Sequence, residues 1–210
     1  MRTRTFAMAA GAVALTGVAA MALAPLWRGP ADAFAPCREG QVAGGDIGGP
    51  FTLVNGEGAT VTDRDVIAEP SILYFGYTFC PDICPTDVQR AMAGLKLFAE
   101  EHPERAASIQ PLFVSVDPDR DTPQVLTQFT DAFHPRLIGM TGEPDNLERI
   151  ARTFGVTFHV PEENERGDGG YLVDHSTVTL LFDPEGKPLA TLPTDLGAEA
   201  VAAELEKWVR

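Results

Sequence analysis

The sequence predicts an α/β domain, a sheet with flanking helices and an N-terminal hairpin, preceded by one membrane-spanning segment. Alternation is the first reason. Apolar runs of strand length at Ser71–Phe79, Gln110–Asp117 and Leu137–Met140 are each followed by a stretch that reads as a helix. The second is the pair of short runs Phe51–Val54 and Ala59–Thr62 around Asn55-Gly56, a strong local signal for a hairpin turn. The third is Phe6–Trp27, an uncharged, Ala-rich run that suffices to cross a hydrocarbon core of about 30 Å at about 1.5 Å per residue.

From the N-terminus, residues 1–29 read as a membrane anchor. Arg2 and Arg4 precede the apolar run, so the positive-inside bias puts everything after Arg28 on the outer, periplasmic side of a bacterial-type inner membrane. A cleaved signal peptide is the competing reading, because Ala31-Asp32-Ala33 has the small residues of a cleavage site; the length of the run favours retention. Residues 30–49, rich in Gly, Ala and Pro, read as a flexible tether that holds the odd cysteine, Cys37. Residues 50–210 form one domain of a size that supports a substantial core. The net charge is −14, and the first 30 residues hold three arginines and no acid, which leaves −17 for the remainder. Such a surface excludes binding to nucleic acid or an anionic membrane through charge.

Within the domain, the aromatic-rich strand Ser71–Phe79 runs into a helix over Thr86–Leu97, with Val88, Met92 and Leu95 on one face. Cys80 and Cys84 sit at that junction, at the carboxyl end of a strand where open α/β sheets carry their sites. A helix N-terminus beside the second of them, with Pro85 in its first turn, favours negative charge, and thiolate is the form expected under attack or at a metal. Two thiols at this spacing form a disulfide, hold a soft metal ion, or pack as small hydrophobes. The motif is CxxxC, one residue longer than the usual CxxC redox signature, which leaves room for an ion between the sulfurs while still allowing them to close.

Further on, Gln110–Asp117 reads as a buried strand that ends in the turn Asp117-Pro118-Asp119-Arg120-Asp121, with Thr122 as cap and Pro123 as first residue of the next helix. Three aspartates supply too few oxygens for calcium and read as carboxylates that cap and solvate a loop. Leu137–Met140 is a short strand, Glu143–Phe154 a helix with Leu147, Ile150 and Ala151 at helical spacing, and Val156–Val160 a further strand. The polar stretch 161–170 has the composition of a surface loop, a candidate lid or partner-reading segment. His175 opens the strand Ser176–Phe182, Asp183–Gly186 turns it into Leu189–Leu192, and a helix over Ala198–Val209 ends the chain.

The strings YFGYTFCPDICP, FVSVDPDRDTP at Phe113–Pro123 and VDHSTVTLLFDPEG at Val173–Gly186 together resemble the SCO/SenC family of copper-binding assembly factors, over roughly residue 45 to the end. The resemblance implies a thioredoxin-like fold whose sheet the hairpin caps on one side, and copper, as Cu(I) or Cu(II), held by Cys80, Cys84 and His175. It also implies a copper-accepting subunit of cytochrome c oxidase as partner. One histidine alone is more often structural; two soft sulfurs beside it make a set suited to copper in either oxidation state. His102, His134 and His159 read as structural.

Two functions follow. In the first, Cys80, Cys84 and His175 bind copper and pass it by ligand exchange to the binuclear copper centre of the oxidase, with an upstream copper donor. In the second, the cysteines act as a thiol–disulfide reductase on the acceptor's own cysteines, drawing on a separate thiol reductant. The extra spacer residue and the histidine favour the first. A peroxidase is disfavoured because Thr78 lies two residues before Cys80 and not three.

Overall fold

The computed structural model describes residues 47–162, 165 and 170–210. The anchor 1–29, Cys37, nearly all of the tether and most of the loop 161–170 lie outside these residues. β1 (Thr52–Asn55) pairs antiparallel with β2 (Thr60–Thr62), and the Asn55 side chain closes the turn by accepting the Glu57 and Ala59 N–H groups at 3.1 and 2.9 Å. A one-turn helix α1 (Asp63–Val66) leads to β3 (Ser71–Gly76).

After β3 come the long helix α2 (Ile83–Glu101), the short α3 (Pro103–Ser108), β4 (Gln110–Ser115) and α4 (Pro123–Asp131). β5 (Ile138–Thr141) and α5 (Pro144–Thr153) follow, then the two-residue strands β6 (Phe158–His159) and β7 (Asp174–His175). β8 (Thr179–Phe182), β9 (Pro188–Leu192), a 3-10 turn and α6 (Ala198–Trp208) complete the domain. The main sheet has seven strands in the order β2-β1-β5-β4-β3-β8-β9, with β3, β4 and β5 parallel and the outer pairings antiparallel.

β3 lies inside the sheet, between β4 and β8, with all six residues buried, so both of its faces need cover. Phe75 faces one side, where its ring lies 5.7 Å from that of Phe154, itself 5.5 Å from Phe182 and 6.0 Å from Phe51. Tyr74 and Gly76 face the other, against α2. Burying each of these large apolar side chains is worth roughly 1.5–3 kcal/mol, which holds this strand firmly in place. α2 packs closely on α6: a Cβ on Gly94 would stand 2.5 Å from Val201, so only glycine permits the approach.

The elements differ from the sequence reading where polar groups intervene. β3 stops at Gly76 and not Phe79, because the Thr78 N–H goes to the Asp121 carboxylate and Cys80 N–H turns back to Tyr77 C=O. α2 begins at Ile83, three residues before Thr86, which puts Cys84 inside its first turn. β4 likewise ends at Ser115, where the Ser115 hydroxyl takes the Asp117 N–H. The strand expected over Val156–Val160 is reduced to Phe158–His159, and the run expected from Ser176 starts only at Thr179, opposite Tyr74. Between them, Thr157 and Ser176 exchange backbone and hydroxyl hydrogen bonds and fold His175 into a separate ribbon. Thr122 caps α4 with Pro123 in its first turn, as the sequence indicates.

Candidate metal centre

Cys80 lies in the turn after β3 and Cys84 in the first turn of α2, where its sulfur is fully buried under Gly76. A Cβ at Gly76 would stand 3.1 Å from the Cys84 Sγ, so the missing side chain is what lets the sulfur sit against the strand end. His175 comes from the β6–β7 ribbon, with its ring edge-on to Tyr74 and Tyr77 at 6.2 and 5.8 Å. One atom from each of Cys80, Cys84 and His175 lies within 4.8 Å of the others, although 91 residues separate the second cysteine from the histidine. Both cysteines are free thiols. Among the described residues no other His, Cys, Asp and Glu converge in this way.

The hydrogen bonds fix the state of each group. His175 Nδ1 lies 3.0 Å from the Ser176 carbonyl, which only accepts, so Nδ1 carries the proton. Nε2 therefore presents its lone pair to Cys84 Sγ at 3.1 Å and accepts from that thiol. Burial lowers the imidazole's pKa, against the opposing influence of Ser176, Asp87 and Asp174, and the neutral form is favoured. Burial also pushes the Cys84 thiol well up, and neighbouring Cys80 adds to the rise. Cys80 behaves in the opposite way. Burial opposes its ionisation, but hydrogen bonds from Cys84, Asp82 and Tyr77 outweigh it and lower the thiol; the Cys84 N–H points at Cys80 Sγ from 3.3 Å. In the metal-free site the surroundings thus ease ionisation of Cys80 and oppose that of Cys84. The start of α2 stabilises the sulfur outside the helix, while the sulfur inside its first turn is too deeply buried to benefit.

The donor set suits a soft ion. Two sulfurs and an imidazole nitrogen converge, and the second ring nitrogen is held by a backbone carbonyl, the outer arrangement that orients metal-binding histidines. A metal ion in place of the Cys84 proton would meet the Nε2 lone pair already aimed. Tyr74, whose hydroxyl donates to buried Asp87 at 3.2 Å, walls the site on the sheet side.

The other histidines are elsewhere: His102 faces Glu206 at 3.7 Å, His134 accepts the Arg136 N–H, and His159 pairs across the ribbon with Asp174. The acidic turn is a correction. Asp117 and Asp121 are wholly buried and do not solvate a loop. Asp121 accepts from Thr78 N–H at 2.9 Å and from the Thr78 and Ser115 hydroxyls, and burial raises its pKa against those bonds. Asp117 accepts from Arg120 Nε at 2.5 Å and from the Tyr171 hydroxyl at 2.6 Å. The arginine among the three acids was the one sequence signal that they are paired; nothing in the sequence pointed to Tyr171 or Tyr77.

Fold and site together define a mixed α/β domain of the thioredoxin-like class with a two-sulfur, one-nitrogen donor set at the carboxyl end of the buried strand β3. The SCO1/SenC family model matches residues 39–210, and the chain belongs to that family. Protein SenC of Rhodobacter capsulatus is 44% identical over 201 residues, covering 95% of this chain and 88% of that protein. The mitochondrial SCO1 homolog 1 of Arabidopsis thaliana is 42% identical over 149 residues, which are 70% of this chain but 43% of the longer relative. The crystal structure of Arabidopsis thaliana ScoI with copper bound superposes with a TM-score of 0.69 at 36% identity, covering 77% of this chain and 99% of that one. Copper-bound relatives and a Cys-Cys-His group able to hold copper thus meet in one fold.

Proposed function

We propose that the chain binds copper through Cys80, Cys84 and His175 and hands it to a copper-accepting subunit of cytochrome c oxidase, or prepares that subunit's binuclear centre. The observation that carries this reading is the histidine geometry. Nδ1 is tied to Ser176 and Nε2 is aimed at Cys84, an arrangement that a dithiol reductase has no use for. The oxidase destination rests on family membership. Soft thiolate and imidazole donors permit ligand exchange with an acceptor that offers the same donor types, so the ion can pass without being released to water.

In this reading the domain acts outside a bacterial-type inner membrane, tethered through 30–49 to an anchor at 1–29, and receives copper from an upstream donor. Among the described residues no helix is long and apolar enough to cross a membrane.

One observation supports a second activity on the same residues. Cys80 is partly exposed and its surroundings lower its pKa, while Cys84 lies buried behind it with its thiol raised. Cys80 thiolate would attack a disulfide of the acceptor, releasing one acceptor thiolate. Cys84, after losing its proton, would then displace the second, leaving a Cys80–Cys84 disulfide for an external thiol to reduce.

The test loads the reduced full-length chain with one equivalent of copper and mixes it with an acceptor domain bearing empty cysteine and histidine ligands, following the acceptor's copper absorption. Transfer from the wild type and none from a Cys80→Ser, Cys84→Ser variant is the expected result. Stoichiometric reduction of an oxidised acceptor with no movement of copper would replace delivery by the reductase.

A further inference from the structure

We propose that the turn Asp117–Asp121 is a clamp that sets the spacing between the thiol turn and the histidine ribbon, with Arg120 as its positioning residue. The inference rests on the reading of Cys80, Cys84 and His175 as one metal centre. His175 stands on a strand of two residues outside the main sheet, so no hydrogen bond of that sheet places its backbone, and its ring meets Tyr74 and Tyr77 only edge-on. Downstream, the Ser176 N–H donates to Thr157 C=O at 2.9 Å. Upstream, the holding point is Tyr171.

Tyr171 is gripped at three places. Its hydroxyl donates to buried Asp117 at 2.6 Å, its carbonyl accepts from Arg120 Nη1 at 2.8 Å, and the guanidinium carbon of Arg120 lies 3.6 Å from the centre of its ring. Arg120 Nε meanwhile pairs with Asp117 at 2.5 Å. One planar guanidinium thus meets a carboxylate, a carbonyl and an aromatic face together, which the point charge of lysine cannot do.

The same residue touches the thiol side. Arg120 stands 5.0 Å from the ring centre of Phe79, the neighbour of Cys80, and 5.6 Å from that of Tyr77, which hydrogen-bonds the Cys80 sulfur. One step on, Asp121 holds the backbone and hydroxyl of Thr78. A single five-residue turn at the end of β4 therefore holds both chain segments that carry the donor atoms. It also explains why two carboxylates are kept wholly buried there: charge-assisted hydrogen bonds to buried groups are directional and stiff, and breaking one leaves an uncompensated charge.

The experiment compares the full-length chain with Tyr171→Phe, which removes only the hydroxyl, with Arg120→Lys, and with Glu148→Gln in a surface pair as control. Two readouts are taken on the reduced, copper-free protein: the ring-nitrogen NMR signals of His175 and amide exchange over residues 172–176. Two more are taken with added copper: the Cu(II) absorption band and affinity for Cu(I) and Cu(II).

Tyr171→Phe and Arg120→Lys are expected to shift the His175 signals, speed exchange over 172–176, move the Cu(II) band, and weaken copper binding by roughly 10–100-fold, the usual cost of losing an outer positioning group. Glu148→Gln leaves all four unchanged. Unaltered His175 signals and exchange in a folded Tyr171→Phe protein would overturn the clamp. If the wild type binds no copper, the delivery reading fails, yet the copper-free readouts still decide on the clamp. Should Arg120→Lys not fold, Tyr171→Phe alone decides whether the clamp stands.

Discussion

Cys80 and Cys84 join an inner strand of a seven-stranded sheet to a 19-residue helix, one in the turn and one in the first helical turn, whereas His175 arrives on a two-residue strand of a separate ribbon. The thiol side is held by the buried strand β3, the close fit of Gly76 and the packing of α2 on α6. The histidine side has less packing, buried Val173 and the ring of His175 edge-on to Tyr74 and Tyr77, and leans on polar contacts: Tyr171 in the clamp, Ser176 against Thr157, and the Nδ1 bond to a carbonyl. The difference separates two ways of fixing a donor atom. Apolar packing fixes the sulfurs at the cost of making one of them hard to ionise, and polar contacts fix the nitrogen while leaving it within reach of an acceptor.

The largest way to break the contrast is Gly76→Ala. The new methyl would lie 2.8 Å from Tyr74 Cε1 and 3.1 Å from Cys84 Sγ, and overpacking of this kind costs about 1–3 kcal/mol, read as a lower urea midpoint with unchanged slope. Copper affinity should fall with it, because the sulfur moves.

A smaller effect sharpens the difference between the sulfurs. In the reduced protein, iodoacetamide should modify Cys80 faster than Cys84 by on the order of tenfold or more, since Cys80 is partly exposed with its thiol pKa lowered and Cys84 is buried with its thiol pKa raised. Mass mapping after partial reaction gives the ratio; equal rates would remove the asymmetry.

On the histidine side, Ser176→Ala removes a hydroxyl that accepts from Thr157 N–H at 3.1 Å, and should cost about 0.5–1.5 kcal/mol. Hydrogen exchange should show the loss confined to residues around 157 and 175, in contrast to the global loss from Gly76→Ala.

The smallest expected effect is in pH. His175 is shifted below the ordinary histidine value by burial, and His134 shifts the same way through burial and then Arg136. The unfolded chain therefore binds these protons first. The stability these two histidines contribute to the copper-free protein is full above about pH 6.5 and declines as pH falls from there through the lowered folded values. Urea midpoints at pH 7 and pH 5 should differ less in His175→Gln than in the wild type, and less again when His134→Gln is added, while Asp121, whose carboxyl pKa is raised by burial, acts in the opposite direction.

The same contrast decides what the sequence disclosed. The thiol junction was legible because its signals are local: an apolar run, two cysteines and a proline before a helical face. The cap Thr122 with Pro123 was legible for the same reason. The ribbon was not. Ser176–Val178 has the β-branched composition of a strand, but hydrogen bonds to Thr157 draw its start away from the sheet, a competition between distant segments that composition does not register. Asp117 and Asp121 read as surface carboxylates because their partners, Tyr171 and Thr78, lie 54 and 43 residues away. His175 itself was identified through its motif, and nothing in its local spacing marked it as facing Cys84.

The most direct measurement is copper binding by the reduced full-length chain, by competition with a Cu(I) chelator and by Cu(II) absorption, in the wild type, His175→Ala, and Cys80→Ser with Cys84→Ser. One equivalent of copper in the wild type, lost without the cysteines and weakened without the histidine together with loss of the Cu(II) band, is the result that a three-residue centre predicts. Binding and spectra indifferent to His175 would contradict it, and so would a wild type that takes up no copper.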